Sequence, residues 1–305
     1  MLYSVPDRLY VLPCDHRGIL RGLWDTHRPL GFDDRDEWCA IAKGVVVDGL
    51  IDATQEVPAE WAGVLMDDEL GAMGLERARS AGIARILPVD TGDVGPFTIQ
   101  HPGGIDGHVQ RVDPEVVACL IGCNPESSDY VDQLDRTREL AEWQRESTRA
   151  FLLELQVIPR PEDADGLGFG RWEQTLRPEL IARAIRDLRE VGFEPHVWKL
   201  QECGTDEDYS LVFDACREGG REGVRAVILG AGADTETVDS WLRLAARHDA
   251  CIGFAIGRSV WAEPIEALAR GEADNLAAAR EISQRYRHFA RTFSVARELG
   301  KEVSA

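Results

Sequence analysis

Lysine is almost missing from this chain. Of its 34 basic residues only Lys43, Lys199 and Lys301 are lysine, and the rest are arginine. Basic charge is scarce altogether, because 54 acidic residues leave a net charge of −20. That balance excludes nucleic acid and anionic membrane as expected partners, since both demand a positive footprint. Most of the acid is expected on solvated helix faces such as Glu139-Leu140-Ala141-Glu142. Long apolar runs are missing too. No stretch approaches the ~18 residues of a membrane span, and Met1 to Pro13 lacks the basic-then-apolar pattern of a secretory leader. The seven cysteines are an odd number and mostly lie in apolar runs (Cys14, Cys119, Cys123, Cys251). Reduced, packed thiols and a cytoplasmic location are expected. Cys119 and Cys123 are four apart, but no second Cys or His cluster completes a zinc site. Neither metal nor cofactor is expected.

What is present is a repeating pattern. At 305 residues and 44% hydrophobic, the chain fits two ordinary domains or one α/β barrel. Eight short apolar runs recur: Leu9–Pro13, Ala62–Met66, Ala84–Val89, Val116–Gly122, Ala150–Val157, Pro195–Leu200, Val224–Leu229 and Cys251–Ile256. Near-continuous runs of this length suit strands buried on both faces of a parallel sheet. Helical patterns separate most of them, at Asp36–Asp52, Glu69–Ala81, Asp129–Thr148, Pro178–Val191, Glu207–Arg217 and Thr235–Arg247. Pro264–Arg270 and an extension at about 274–299 close the chain. Pro178 and Asp234-Thr235 read as helix starts, and Gly82 and Gly192 as C-caps.

An open doubly wound sheet would want a Gly-rich phosphate turn after the first strand, whereas that strand ends Cys14-Asp15-His16-Arg17. The pattern therefore predicts a (β/α)₈ TIM barrel in a single domain spanning 1–305. Two irregular stretches stand out. Thr91–Gly107, with Pro96, Pro102 and Gly103-Gly104, predicts a loop or hairpin after strand 3. Pro159–Arg177 predicts a long loop after strand 5, of the kind that often acts as a lid.

Barrel active sites form at the C-terminal strand ends. Those ends carry Asp15-His16-Arg17, Asp67-Asp68, Asp90, Asn124, Glu154, Lys199-Leu200-Gln201, Gly230-Ala231-Gly232 and Gly257-Arg258. Carboxylates thus converge on one lysine in a protein that otherwise uses arginine. Lysine differs from arginine in that it loses its proton when desolvated and then attacks a carbonyl. A stem packed in the wall with its head in water is the competing reading. The chemistry suggested is aldol cleavage through an imine. Lys199 is the expected nucleophile and Glu154 the expected acid and base, with an ion pair to arginine or Lys199 as its alternative. Asp15 is expected to orient substrate hydroxyls, or else to cap the turn after Arg17. The turns at Gly230, Gly232 and Gly257, with Arg258, suit a phosphate. Asp67 and Asp68 leave open a metal-dependent lyase. His101 and His108, in the irregular loop, are expected to be solvated.

Six segments also resemble a known family. Pro13-Cys14-Asp15-His16-Arg17-Gly18, Leu65-Met66-Asp67-Asp68-Glu69-Leu70-Gly71, Cys123-Asn124-Pro125-Glu126, Phe151-Leu152-Leu153-Glu154-Leu155, Trp198-Lys199-Leu200 and Gly253-Phe254-Ala255-Ile256-Gly257-Arg258-Ser259 are similar to the 5-dehydro-2-deoxyphosphogluconate aldolase domain of myo-inositol catabolism, a relative of tagatose-bisphosphate aldolases. The resemblance implies a class I aldolase in which Lys199 forms the imine, Glu154 carries protons and Asp15 lies in the sugar pocket. Arg258 and the backbone around Gly257 would hold phosphate, and dihydroxyacetone phosphate and malonate semialdehyde would be the products. Arg17, Asp67, Asn124 and Gln201 complete the expected substrate-binding set. The chain departs from the family at Ala118, where a second lysine is usual, at Cys123, usually aromatic, and at Gln201, usually acidic. A tagatose-type bisphosphate, a sulfosugar phosphate and a non-catalytic sugar-phosphate-binding role remain alternatives. A small phosphorylated sugar is the expected partner, with a possible homo-oligomer by analogy.

Overall fold

In the computed structural model, which describes residues 4–92, 97–101, 104–166, 170 and 172–304, eight parallel strands close on themselves in chain order. They are β1 (Leu9–Pro13), β2 (Ala62–Leu65), β3 (Ala84–Pro88), β4 (Val116–Cys123), β5 (Ala150–Val157), β6 (Val197–Leu200), β7 (Arg225–Leu229) and β8 (Cys251–Ala255). The fold is the (β/α)₈ barrel that the alternation predicts.

A period of two sorts the side chains into layers. Leu9, Val11, Leu65, Ile86, Ala118, Leu152, Val197 and Val227 fill the barrel. Their neighbours Tyr10, Leu12, Val117, Leu153, Trp198 and Ile228 face the helices. Full burial of a Leu or Val side chain contributes roughly 1.5–3 kcal/mol. Continuing the inward count beyond these layers reaches Asp15, Asp90, Glu154 and Lys199 at the C-terminal rim.

The helices are α1 (Arg17–His27), α2 (Arg35–Ala53), α3 (Asp68–Ser80), α4 (Ile105–Val112), α5 (Tyr130–Arg136), α6 (Arg138–Glu146), α7 (Pro161–Gly166), α8 (Arg177–Val191), α9 (Asp206–Arg217), α10 (Thr235–Ala245), α11 (Arg258–Ala269) and α12 (Asn275–Ser304). Several start on side-chain caps: Asp34 accepts from Asp36 N and Glu37 N, and Asp234 accepts from Thr237 N. Pro178 stands in the first turn of α8 and left-handed Gly192 ends it. The long α12 packs on α2, where Gly49 permits the approach. A Cβ there would meet the Ala279 carbonyl oxygen at 2.7 Å. Tyr286 of α12 donates to the Tyr10 carbonyl of β1 at 2.7 Å.

Four expectations change. The single helix over Asp129–Thr148 is two, α5 and α6. They are joined at buried Thr137, whose hydroxyl donates back to the Leu134 carbonyl. The turn after Arg17 is a full helix. Helix α11 begins at Arg258, a turn and a half before Pro264, which is accommodated inside it. Helix α4 occupies the end of the predicted irregular stretch. The hairpin expectation after strand 3 meets an antiparallel bridge between Asp90 and Ile99, while Pro96, Pro102 and Gly103 lie outside the described residues. In the predicted lid, α7 and a π-helical turn, Trp172–Leu176, are described. The residues 167–169 and 171 lie outside. No helix among the described residues is long and apolar enough to cross a membrane.

Candidate active site

A cavity of ≈220 Å³ opens at the C-terminal rim. Its floor is Lys199. The β5–β6 register sets Glu154 directly beside Lys199, so both side chains project to the same side. Lys199 Nζ donates to Glu154 Oε2 at 2.5 Å, with both residues buried. Gln156 Nε2 donates to the other oxygen, Oε1, at 2.8 Å. The amine is therefore inside the barrel mouth and in contact with a carboxylate that can take its proton.

One wall is built from the turns after β7 and β8. Ala231 and Gly232 both have positive φ, 49° and 78°. The Gly232 Cα lies so close to Arg258 that a Cβ would sit 3.1 Å from the guanidinium carbon. Arg258 Nη2 donates to the Ala231 carbonyl at 2.8 Å and Ser259 Oγ to the Ala233 carbonyl at 2.7 Å. These bonds fix the two turns to each other. Gly257 is required sterically: a Cβ would fall 2.3 Å from the Pro13 carbonyl oxygen, which also accepts from Trp261 Nε1. Together the turns present a cationic fork at the start of a twelve-residue helix, chemistry suited to an anion.

The opposite wall comes from the β5–α8 connection and the β6 end. Arg177 Nη2 donates to Glu202 Oε1 at 2.8 Å and to the Glu202 carbonyl at 2.9 Å, and both residues are buried. Glu173 reaches Arg177 Nη1 at 3.3 Å. Trp172, Gln156 and His16 also line the cavity. Burial holds the His16 imidazole below its ordinary range, opposed by Asp15 and reinforced by Lys199 and Arg258. Asp90, nearby on the β3 end, is pushed up to about 6 by burial, against the pull of the Leu120 and Gly92 N–H donors; Asp15 and Glu154 raise it further.

Glu154, Lys199, Gln201, Gly230, Gly232, Gly257 and Arg258 line one cavity. Gln201 does so with its Oε1 committed to Val157 N at 2.7 Å. Asp15 stands beside the lining, its Oδ1 buried with no hydrogen bond among the described residues and 3.4 Å from His16 Nδ1. Three expected binding residues do not reach the cavity. Asp67 is fully buried because fully buried Lys43 of α2 donates to it and to the Cys14 carbonyl. Its other oxygen caps α3 at Leu70 N. Arg17 turns away to Asp67, Glu69 and Gln100. Asn124 closes its own turn, donating to the Ile158 carbonyl and accepting from Glu126 N. The paired Asp67-Asp68 also diverge: Asp68 accepts from His108 Nε2 at 2.9 Å. His108 is thus buried, not solvated, because its ring packs beside His101 and under α3. Among the described residues no group of three or more His, Cys, Asp or Glu converges as a metal site would require.

The sequence reading missed Gln156, Arg177 and Glu202, and placed His16 at a strand end without giving it a role. Gln156 carries the signal, since it is two residues beyond Glu154 on the same inward count. His16 and Glu202 fall on the outward count of β1 and β6, so strand parity does not mark them. Arg177 reaches the site from a helix start, which no strand pattern marks.

Residues 3–297 match the model of a family described as uncharacterized protein conserved in bacteria (DUF2090), and the chain belongs to that family. No curated protein matches it. Among solved structures it is similar in fold to a Schiff-base-forming fructose-1,6-bisphosphate aldolase, at 14% identity over 95% of this chain and 96% of that one, with a TM-score of 0.56. An archaeal fructose-1,6-bisphosphate aldolase, solved with its catalytic lysine covalently bound to a carbinolamine intermediate, gives 14%, 96% of each chain and 0.56. A fructose-bisphosphate aldolase from Slackia heliotrinireducens gives 14%, 91% and 86%, and 0.54.

Proposed function

We propose that this protein is a class I aldolase acting on a phosphorylated keto-sugar or keto-acid, with 5-dehydro-2-deoxygluconate 6-phosphate as the leading substrate. The observation that carries the reading is the Lys199 amine, held 2.5 Å from Glu154 Oε2 on the floor of a rim cavity. Glu154 takes the ammonium proton, and the free amine adds to the substrate ketone to give a carbinolamine. Loss of water, with the proton returned by Glu154, leaves a protonated imine. Glu154 then removes the proton of the hydroxyl two carbons away. The C–C bond between them breaks, an aldehyde leaves, and the bonding pair moves into an enamine. Protonation of the enamine carbon and hydrolysis release dihydroxyacetone phosphate and restore the amine. Gln156 holds the second carboxylate oxygen, keeping Oε2 toward the lysine. Arg258 and the Gly230–Gly232 turn take the phosphate. Asp15, paired with His16 at the edge of the cavity, orients a substrate hydroxyl.

Reduction with borohydride in the presence of dihydroxyacetone phosphate tests this. A stable adduct mapped to Lys199 by mass spectrometry is expected. Binding of the ketose phosphate with no adduct would mark a non-catalytic sugar-phosphate binder, and turnover abolished by EDTA a metal-dependent lyase.

A further inference from the structure

We propose that His16, set by Asp15, is a second acid–base group of this site: it puts the proton on the enamine carbon after cleavage and takes it off again in condensation. This rests on the aldolase reading and assigns the proton donor of its last carbon step.

The fold brings His16 to the cavity at the start of a helix. It stands immediately before α1, just past β1, and lines the cavity with Lys199 and Glu154. Strands β1 and β5 are four apart around a closed barrel of eight. Glu154 therefore meets Lys199 from the adjoining strand, and His16 meets it from across the mouth. Of the cations around the imidazole, Lys199 acts on it most strongly. The ring is also clamped. Its centroid lies 5.8 Å from that of Trp261, which is itself tied to the Pro13 carbonyl. Nδ1 is buried 3.4 Å from Asp15 Oδ1, a contact of the kind that closes to a hydrogen bond when substrate arrives. The side chain keeps an accessibility of 32%. With Nδ1 buried, that exposure falls on the opposite edge of the ring, which carries Nε2. Donation of Nδ1–H to Asp15 fixes the tautomer whose Nε2 lone pair is open to the cavity.

Glu154 is poorly placed for this second task. Its Oε2 is bound to the lysine nitrogen and its Oε1 to Gln156. Once the imine has formed, the nitrogen still carries an N–H that holds Oε2. A hydroxyl two carbons away can turn toward that carboxylate. The enamine carbon cannot, because it takes its proton perpendicular to the plane in which the N–H lies. The step balances with His16 as donor. After cleavage Glu154 gives the hydroxyl proton up to water, and His16 takes one from water at its open edge. The imidazolium then passes the Nε2 proton to the enamine carbon. The C=C pair becomes the C–H bond and the nitrogen lone pair forms C=N, which leaves a protonated imine and a neutral imidazole.

Hydrogen exchange in dihydroxyacetone phosphate reads this step alone, with no aldehyde needed. The compound is incubated with the protein in heavy water. Deuterium uptake at its hydroxymethyl carbon is followed by NMR, beside borohydride trapping on Lys199. Wild type that forms no adduct would remove the aldolase reading, and this inference with it. Given the adduct, wild type is expected to exchange a hydroxymethyl hydrogen. His16→Asn and His16→Gln are expected to be labelled at Lys199 as wild type is, and to exchange about a hundred-fold or more slowly, the usual worth of a positioned acid–base group. Asp15→Asn, which no longer fixes the tautomer, is expected to slow exchange about tenfold or more. Exchange untouched in the His16 variants, a matching loss of labelling and exchange in them, or wild type that is labelled without exchanging would each defeat the proposal. Unchanged exchange in Asp15→Asn would defeat the part given to Asp15.

Discussion

Replacing Lys199 with methionine should do more than remove the nucleophile. Met matches the lysine stem in volume, so packing in the barrel mouth is preserved, and the loss falls on Glu154. That carboxylate is buried and, among the described residues, keeps only Gln156 Nε2 as a hydrogen-bond partner. Removing one member of a buried ion pair typically costs 3–5 kcal/mol. A ceiling exists, because the carboxyl can neutralise instead. Protonating an ordinary glutamic acid at pH 7 costs about 3.7 kcal/mol and at pH 5 only about 1 kcal/mol. Lys199→Met is therefore expected to be about 3 kcal/mol less stable than wild type at pH 7, with most of the difference gone at pH 5. Adding Glu154→Gln should restore most of it at pH 7. Urea unfolding of wild type, single and double variants at both pH values measures this. A single variant as stable as wild type at pH 7, or a deficit as large at pH 5, would refute the claim that this pair is desolvated.

Three further outcomes follow from other parts of the structure. Gly257→Ala drives a methyl group onto the Pro13 carbonyl; overpacking of this sort costs about 1–3 kcal/mol, and because it displaces the Arg258 turn, weaker binding of inorganic phosphate should accompany a lower melting temperature. Asp90, raised to about 6 from an ordinary 3.8, contributes stability that is complete below the lower value and lost as pH rises through the higher one. Relative to Asp90→Asn, wild type should gain roughly 2 kcal/mol between pH 7 and pH 4, and a difference that does not vary with pH in chemical denaturation would contradict this. Lys43→Met strands Asp67 in the core and should destabilise by about 3–5 kcal/mol, visible as a large drop in the urea midpoint.

The barrel was legible because its signal is redundant. Eight apolar runs, each separated by a helical pattern or turn, leave few alternatives, and single errors at ends such as Pro195 or Met66 change nothing downstream. The pairing of Lys199 with Glu154, which the strand pattern left open beside a catalytic role, was legible for a related reason. Glu154 and Lys199 interrupt apolar strands, and the inward count of two that places Leu152 and Val197 in the core carries them to the rim. Asp67 deceived because β2 stops at Leu65, so its side chain follows the cap of α3 rather than the strand, and its partner Lys43 lies on a helix. Arg17 and Asn124 likewise follow local turns and rim ion pairs. The Arg177–Glu202 wall was illegible since its two halves meet only in three dimensions.

Two of the three lysines are withdrawn from the outer surface, Lys43 wholly and Lys199 to the rim cavity, which has a practical consequence for anyone handling the protein. Amine-directed dyes, crosslinkers and coupling resins will find few targets on the native fold, and each slow acylation of Lys199 will count an occasion on which the mouth of the barrel admitted the reagent.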